Sequence, residues 1–486
     1  MYSIKNIIYT MLMFSILLLF SSCATNFTYY DNLRNLIKTE NYPAAVSLIE
    51  QNKIKEYGEK NALLYYMDEG IVNHYSGDYE KSIELFTKAE KLAEELYTKS
   101  ISQEAASFLV SDNVKSFYGE DFERILINTF QALNYLMLGR YEEALVEARK
   151  VDHKLKTLQV NYGNKNTYKE DAFMRYITGL IYESQKEYND AFISFRKSIQ
   201  EYNNNKAIYP FSTPLDLYQR TIKIAKKIGF REEFEEITRK YKLDFSWNNT
   251  KYDTESGEMV LIHYNGFAPY KIDHFIEVSF GEGWAYVGSV QVGNDDKSDV
   301  EKAKRMARSI AADEQFVVAF PKFVPTDSQI FSATIDIYKK DENNTPYLIN
   351  SIDTFMVNDI DSIAIKTLED KIGRIRAKAI ARATIKFVLS RALSEEIEKK
   401  SSDALTSWIA KKAIQATATA TEKADKRSWR TLPKNINFAT EVLPTGNYKI
   451  EVKFYNRNKQ QVATKVIDNL KIEKGKKTFI TLRTAI

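Results

Sequence analysis

Apolar residues follow three rhythms along the chain. From Ile7 to Phe20 they run almost unbroken. From Tyr29 to about Tyr241 they recur with the helical period of about 3.6 residues, and few prolines interrupt them. Beyond Leu243 they alternate with polar residues over short stretches, as half-buried strands require. Strands are predicted over 259–265, 272–280, 284–292, 316–320, 329–339 and near 347–356. A short helix is predicted over 299–312. A long helix is predicted from Ile360 to Lys400, and a second, starting at Ser402 or Asp403, runs to about Asp425. The last stretch returns to strand, with Tyr448, Ile450, Val452 and Phe454 on one face.

Within the helical stretch a local pattern repeats. Gly70, Gly77, Tyr79, Ser82, Phe86 and Ala89 form one copy. Ala132, Gly139, Tyr141, Ala144 and Ala148 form a second, and Gly179, Tyr182, Tyr188, Ala191, Phe195 and Ser198 a third. Tyr42, Ala45 and Ile49 make a weaker copy. Gly70 and Gly179 let two helices approach closely. Gly77 and Gly139 suit the left-handed residue that ends a helix. Tyr79, Tyr141 and Tyr188 cover the turn, and Phe86 and Phe195 fill space toward the neighbouring repeat. The pattern resembles the tetratricopeptide repeat (TPR), a helix–turn–helix unit of about 34 residues. The turn tyrosines are 37, 62 and 47 residues apart, which predicts extra elements near 92–124 and 155–170. A degenerate fourth pair is predicted over 215–228 and 231–241, with Gly229 at its turn.

These rhythms divide the chain into a leader (1–22), a tether (23–28), a TPR-like helical solenoid (29–245), the first part of a β-sandwich (246–357), an inserted helical hairpin (358–426) and the last part of the sandwich (427–486). The predicted fold class is multidomain α + β, with the sandwich mainly antiparallel.

Composition narrows the function classes. Lys+Arg is 69 against Asp+Glu 65, a balance that gives no support for a nucleic-acid binder. The single cysteine rules out an intramolecular disulfide framework and any multi-cysteine metal cluster. That cysteine, Cys23, follows the apolar run and two small residues, Ser21 and Ser22. The run is shorter than the roughly 20 residues that span a bilayer. Leu19-Phe-Ser-Ser-Cys23 resembles a bacterial lipobox, with Phe20 where a smaller aliphatic residue is usual. The resemblance implies lipidation of Cys23, cleavage before it, and a membrane held through the acyl chains. The same run would also serve ordinary secretion or an uncleaved anchor. Lipidation places the chain in the bacterial cell envelope, at the periplasmic face of the outer membrane, with the cell surface and the inner membrane as other options.

Several phrases, in order, resemble a family of TPR-bearing bacterial envelope lipoproteins of uncharacterised function. They are residues 119–136 followed by 143–149, then Gly266-Phe-Ala-Pro-Tyr-Lys271, Phe320-Pro-Lys-Phe323, the basic run from Arg374 to Phe387, and Asp425-Lys-Arg-Ser-Trp-Arg-Thr-Leu-Pro433 followed by Leu443-Pro-Thr-Gly446. The resemblance implies an envelope lipoprotein and carries no catalytic residue with it.

Candidate chemistry is sparse. No catalytic residue, metal site or cofactor is predicted. His263 and His274 fall on neighbouring predicted strands, but a metal would also need carboxylates such as Asp273 or Glu277. No nucleophile elbow, phosphate loop or Cys–His pair occurs. Arg374, Lys378, Arg382 and Lys386 recur every four residues, and residues 359–427 carry 15 Lys+Arg against 10 Asp+Glu. That stripe could meet an anionic lipid, glycan or protein, or be an ordinary solvated face. Trp429 is expected to anchor the return from helix to sheet. The sequence therefore predicts a non-enzymatic adaptor that binds an unidentified protein partner through its repeats. An anion binder using the basic hairpin and an enzyme acting on cell-wall glycan are the alternatives.

Overall fold

A computed structural model describes residues 25–103, 115–163, 166–209, 212–248, 255–281, 284–287, 315–340, 345–400 and 423–486. Cys23, the predicted helix at 299–312 and the second helix of the inserted hairpin lie outside these residues.

The first half is five helical hairpins: α1 (Thr25–Lys38) with α2 (Tyr42–Gln51), α3 (Ala62–Ser76) with α4 (Tyr79–Gln103), α5 (Asp121–Met137) with α6 (Tyr141–Asn161), α7 (Ala172–Ser184) with α8 (Tyr188–Asn204), and α9 (Leu215–Ile228) with α10 (Arg231–Lys240). Each turn contains one left-handed residue two positions before the second helix: Glu40, Gly77, Gly139, Lys186 and Gly229, with φ between 56° and 86°. Three of the five are glycine, the residue that adopts this conformation without a Cβ penalty. The wide spacing of the turn tyrosines is partly taken up by long second helices, 25 residues in α4 and 21 in α6.

The glycine signature has a direct steric cause. A Cβ on Gly70 would lie 2.7 Å from the Phe86 ring, and one on Gly179 would sit closer still to Phe195. Each phenylalanine follows its glycine by sixteen positions, within the same hairpin. In the middle hairpin the same spacing joins Ala132 to Ala148, and both are buried. Where the ring is absent, the Cβ fits. The phenylalanines thus pack first on their own hairpin; Phe86 also reaches Phe130 of the next one, with ring centroids 6.3 Å apart.

The second half forms three sheets. One has the order β11-β1-β8-β7, from Lys477–Thr484, Gly257–Asn265, Asn435–Leu443 and Phe355–Asp359. A second has the order β10-β9-β5-β6, from Gln461–Ile472, Gly446–Tyr455, Ser332–Lys340 and Pro346–Asp353. The third is β3-β2-β4, from Trp284–Val287, Tyr270–Gly281 and Gln315–Val324. Pairing is antiparallel except for β1 with β11, which run parallel. Those two strands are far apart in sequence, so no tight turn forces them antiparallel. Helix α11 (Ile360–Lys400) leaves β7 without a break.

Every residue of β1 is buried. Val260, Ile262 and Tyr264 belong to the core shared with the helical hairpins. Met259 and Leu261 belong to a second core, shared with Ile335, Ile337, Ile450, Val452 and Phe454. The period-2 alternation of a strand sends its two faces to two different cores. The composition change near Leu243 therefore marks a change of secondary structure, not the end of a core. Helices and first sheet share one continuous interior.

Candidate functional site: the inner face of the helical hairpins

The inner face of a helical array is where a partner chain is expected. In this protein the chain itself occupies it. The first helix of each hairpin supplies side chains that meet the sheet or the irregular segment leading into β8.

That segment spans residues 423–434. The Trp429 indole lies against Phe86 and Phe130, with centroids 5.7 and 6.1 Å away. The Trp429 amide donates to Glu123 Oε1 at 2.6 Å. The Thr431 hydroxyl donates to Asp68 Oδ1 at 2.6 Å, and its carbonyl accepts from the Tyr75 hydroxyl at 3.1 Å. Asp68 Oδ2 accepts from Tyr30 and Tyr57 at 3.0 and 2.8 Å. Arg427 pairs with Asp425 and donates to Asn61 Oδ1 and the Lys115 carbonyl. The Arg430 guanidinium stacks over Tyr30 and Tyr270. Lys434 pairs with Asp361 at 2.6 Å.

Farther along, Tyr264 meets His74 Nε2 at 2.8 Å, and His74 Nδ1 lies 2.6 Å from Asn134 Oδ1. Asn134 donates to Ser82 Oγ, which donates to the Gly70 carbonyl. Phe438 packs between Phe173 and Tyr176. Tyr202 donates to the Val357 carbonyl at 2.6 Å. At the far end Arg220 and Lys477 both hold Glu183 and Glu258.

A separate ionic knot joins α5, β2 and α11. The N-terminus of α5 carries a capping box, Glu120 with Glu123. Glu120 pairs with Lys271 of β2 and, at 2.6 Å, with Lys371 of α11. Asp121 takes Arg124 at 2.7 Å, Lys371 at 3.2 Å and the Tyr162 hydroxyl at 2.7 Å. The Lys271 ammonium also donates to the Arg427 carbonyl.

The two groups of carboxylates differ in protonation. Burial pushes Asp68 up to about 6, although the Thr431, Tyr57 and Tyr30 hydroxyls favour its charged form. Burial likewise raises Glu123 to about 7 and Asp361 to about 6. For Glu120 burial acts in the same direction but Lys271 and Lys371 outweigh it, leaving the carboxyl at about 2. Asp121 is depressed too, by Lys371 and Arg124 against burial. Burial lowers His74 to about 4, so the imidazole is neutral at physiological pH.

Among the described residues these groups hold the chain to itself; the one hollow they border, at Phe173, Tyr202 and Val357, has a volume of only about 20 Å³. Two surface hollows, of about 430 and 350 Å³, are lined by other residues, among them Lys38, Glu40 and Lys465 in one and Asp31, Arg34 and Thr326 in the other. Among the described residues no three His, Cys, Asp or Glu side chains group as metal ligands, and no helix is long and apolar enough to cross a membrane.

The remaining predicted residues take these places. His263 is buried on β1 and bonds Thr484 Oγ1, whereas His274 lies on β2 in another sheet against Phe320; they do not face each other. Gly70, Gly77, Tyr79, Phe86, Gly139, Tyr141, Ala144, Gly179, Tyr188, Ala191 and Phe195 lie in the hairpins, and the Tyr79 hydroxyl reaches Thr481 of β11. The basic stripe on α11 is not one exposed face. Arg374 is exposed and stacks on Tyr162, Lys378 is half-buried, and Arg382 is only 5 % exposed. The four-residue spacing drifts round the helix, so the stripe turns inward from Arg374 to Arg382. Lys386 lies on α11. The cations that matter most at the junction, Lys271, Lys371 and Arg220, are single residues within mixed stretches. Of these only Lys271 falls within one of the ordered phrases, residues 266–271. Those phrases meet in space: Phe122 against Phe323, Lys271 on Glu120, Arg376 over Phe320, and Trp429 on Glu123.

No family model and no curated protein matches this sequence. Solved structures similar to it include one titled MamA AMB-1, 16 % identical, in which 46 % of this chain aligns with 93 % of that chain at a TM-score of 0.26.

Proposed function

We propose that this protein is a lipid-anchored scaffold of the bacterial cell envelope, without catalysis of its own, that presents a rigid body to a protein partner. The hairpins are read as tetratricopeptide repeats. The two four-stranded sheets about a common core are read as a sandwich interrupted by α11 and the residues after it. Cys23 is the lipid attachment site, and the periplasmic face of the outer membrane is the favoured location. A tether confines the scaffold to two dimensions and raises the effective concentration of whatever it holds.

One observation carries this reading. The side chains with the strongest chemistry, from Asp68 to Lys477, hold the repeats to the sheet instead of lining a cleft. The partner therefore binds on a surface other than the inner face of the hairpins. The test has two arms in intact cells. Metabolic labelling with an alkyne fatty acid should mark the wild-type chain and not Cys23→Ala. Photo-crosslinkers on the outer helices α4, α6 and α8 should trap a protein partner, whereas one at Phe130 should trap only this chain. Absence of lipid label overturns the anchor. Capture of a foreign protein from Phe130 overturns the assignment of the surface.

A further inference from the structure

The two outer edges of the second sheet are built differently. Strand β10 carries Lys465, Asp468 and Lys471, and its pairing is broken by two register shifts. Lys465 is also tied to Glu40 of the first helical turn at 2.6 Å. Lysines of this kind oppose pairing of an edge with another strand. Strand β6 reads Pro346-Tyr-Leu-Ile-Asn-Ser-Ile-Asp353, with no lysine. Tyr347, Leu348 and Ile349 are 47, 53 and 42 % exposed. At the edges of the first sheet, β7 accepts a hydrogen bond from Tyr202 and β11 meets Tyr79.

Among the described residues no strand pairs with the outer side of β6. The Ser351 amide donates to Asn350 Oδ1 at 2.9 Å. The Thr354 amide donates to the Ala333 carbonyl, and the alternation of the antiparallel ladder from that pair turns the Ser351 amide outward. Pairing with β5 also assigns the faces. Pro346, Leu348, Ser351 and Asp353 lie opposite Lys340, Tyr338, Asp336 and Thr334. Tyr347, Asn350 and Ile352 lie opposite Lys339, Ile337 and Ile335, the latter two in the core. The register shift at Ile349 separates the two halves of the strand.

We infer that β6 is the interface for a second copy of this chain, joined as antiparallel strands about a two-fold axis. Residues directly opposite in such a pair share a face. The longest register that keeps faces matched across Ile349 sets Asp353 opposite Pro346 of the second copy, Ile352 opposite Tyr347, and Ser351 opposite Leu348. This register is self-complementary. The one acid of each strand arrives on the face that carries Pro346 and, one strand farther in, Lys340 of the other copy, and the apolar Ile352 meets the Tyr347 ring. A shared two-fold axis requires this kind of match, since each patch must fit its own image. Joining the edges gives one continuous eight-stranded sheet.

The experiment uses the full chain, in detergent and in membranes. Light scattering should give a dimer for the wild type. Ser351→Pro removes the outward amide without touching the β5 ladder, and Leu348→Lys installs the guard that β10 already has. Each should weaken dimerisation by at least about tenfold, enough to read as monomer at micromolar concentration. In membranes, mild oxidation of co-expressed Leu348→Cys and Ser351→Cys chains should link them more than either chain links to itself. A monomeric wild type overturns the inference and leaves the edge to a strand from another protein. A dimer that survives both β6 substitutions overturns it as well, because the contact then lies elsewhere. If Ser351→Pro unfolds, Leu348→Lys alone decides.

Discussion

The junction between hairpins and sheet is built from two chemistries side by side. Around Trp429 and Asp68 it is aromatic, with carboxyls that burial pushes toward the neutral form. Around Glu120 and Asp121 it is ionic, with carboxyls that neighbouring cations keep charged although burial acts to raise them. Both sit in the first three hairpins, and both hold the same two halves together. The difference shows that burial alone does not set a carboxyl's state: two lysines outweigh it at Glu120, whereas the single Lys434 does not at Asp361. Burial raises Asp68 to about 6 against its tyrosine and threonine hydroxyl partners, whereas Lys271 and Lys371 hold Glu120 at about 2.

The largest break in this comparison should come from the aromatic side. Trp429→Ala removes a fully buried indole from between two rings, and should cost about 3–5 kcal/mol in chemical denaturation. A loss below about 1 kcal/mol would mean that the segment is not anchored there. On the ionic side Lys271→Met leaves Glu120 with Lys371 as its remaining cation. A buried pair broken from one side costs roughly 3–5 kcal/mol, and the remaining lysine should keep the loss at the lower end. Adding Glu120→Gln should recover part of that loss. A double variant no better than the single would show that Lys271 acts through packing on Phe323 and not through charge.

Acidity separates the two sides more finely. Asp68 is raised in the folded state, so its contribution is complete below the unfolded pKa of about 3.9 and is lost as pH rises through about 6. Glu120 is depressed, so its contribution persists above the unfolded value and is lost only as pH falls through about 2. His74, depressed to about 4, adds the opposite slope between there and its unfolded value of about 6.5. Asp68→Asn removes only the first of these. Relative to the wild type, its stability should improve by on the order of 2 kcal/mol between pH 4 and pH 7. A flat difference would show that Asp68 does not titrate in that window. The smallest effect belongs outside the junction. Arg374→Gln, on the exposed part of α11, should stay within about 0.5 kcal/mol of wild type. A larger loss would extend the ionic side to the Tyr162 stack.

Parts of this arrangement were legible in the residues. The Gly70–Phe86 and Gly179–Phe195 spacing, and its Ala132–Ala148 counterpart, arise within one hairpin, where chain geometry relates the partners. Left-handed Gly77, Gly139 and Gly229 follow from local backbone sterics. Glu40 and Lys186 adopt the same conformation without the glycine signal, and sequence alone would not single them out. The basic stripe was read correctly as a helical pattern, but its spacing cannot tell which part of a long helix is covered. Arg382 turned inward because α11 lies against β4 and the junction. The ordered phrases of the sequence meet in the folded chain, yet their meeting point could not be read from the order in which they occur.

Local chemistry determined the helices, their turns, the alternating strands and the close glycine contacts, because these depend on neighbours along the chain. Tertiary structure alone decided that β11 runs parallel to β1, that one face of β1 meets the helices while the other meets the second sheet, and that the repeats hold residues 423–434 of their own chain. Contacts such as Glu123 with Trp429 span about three hundred residues. No periodicity encodes a contact at that distance. It forms only when the folded chain brings the two segments together, and burial of apolar surface outweighs the entropy of ordering them.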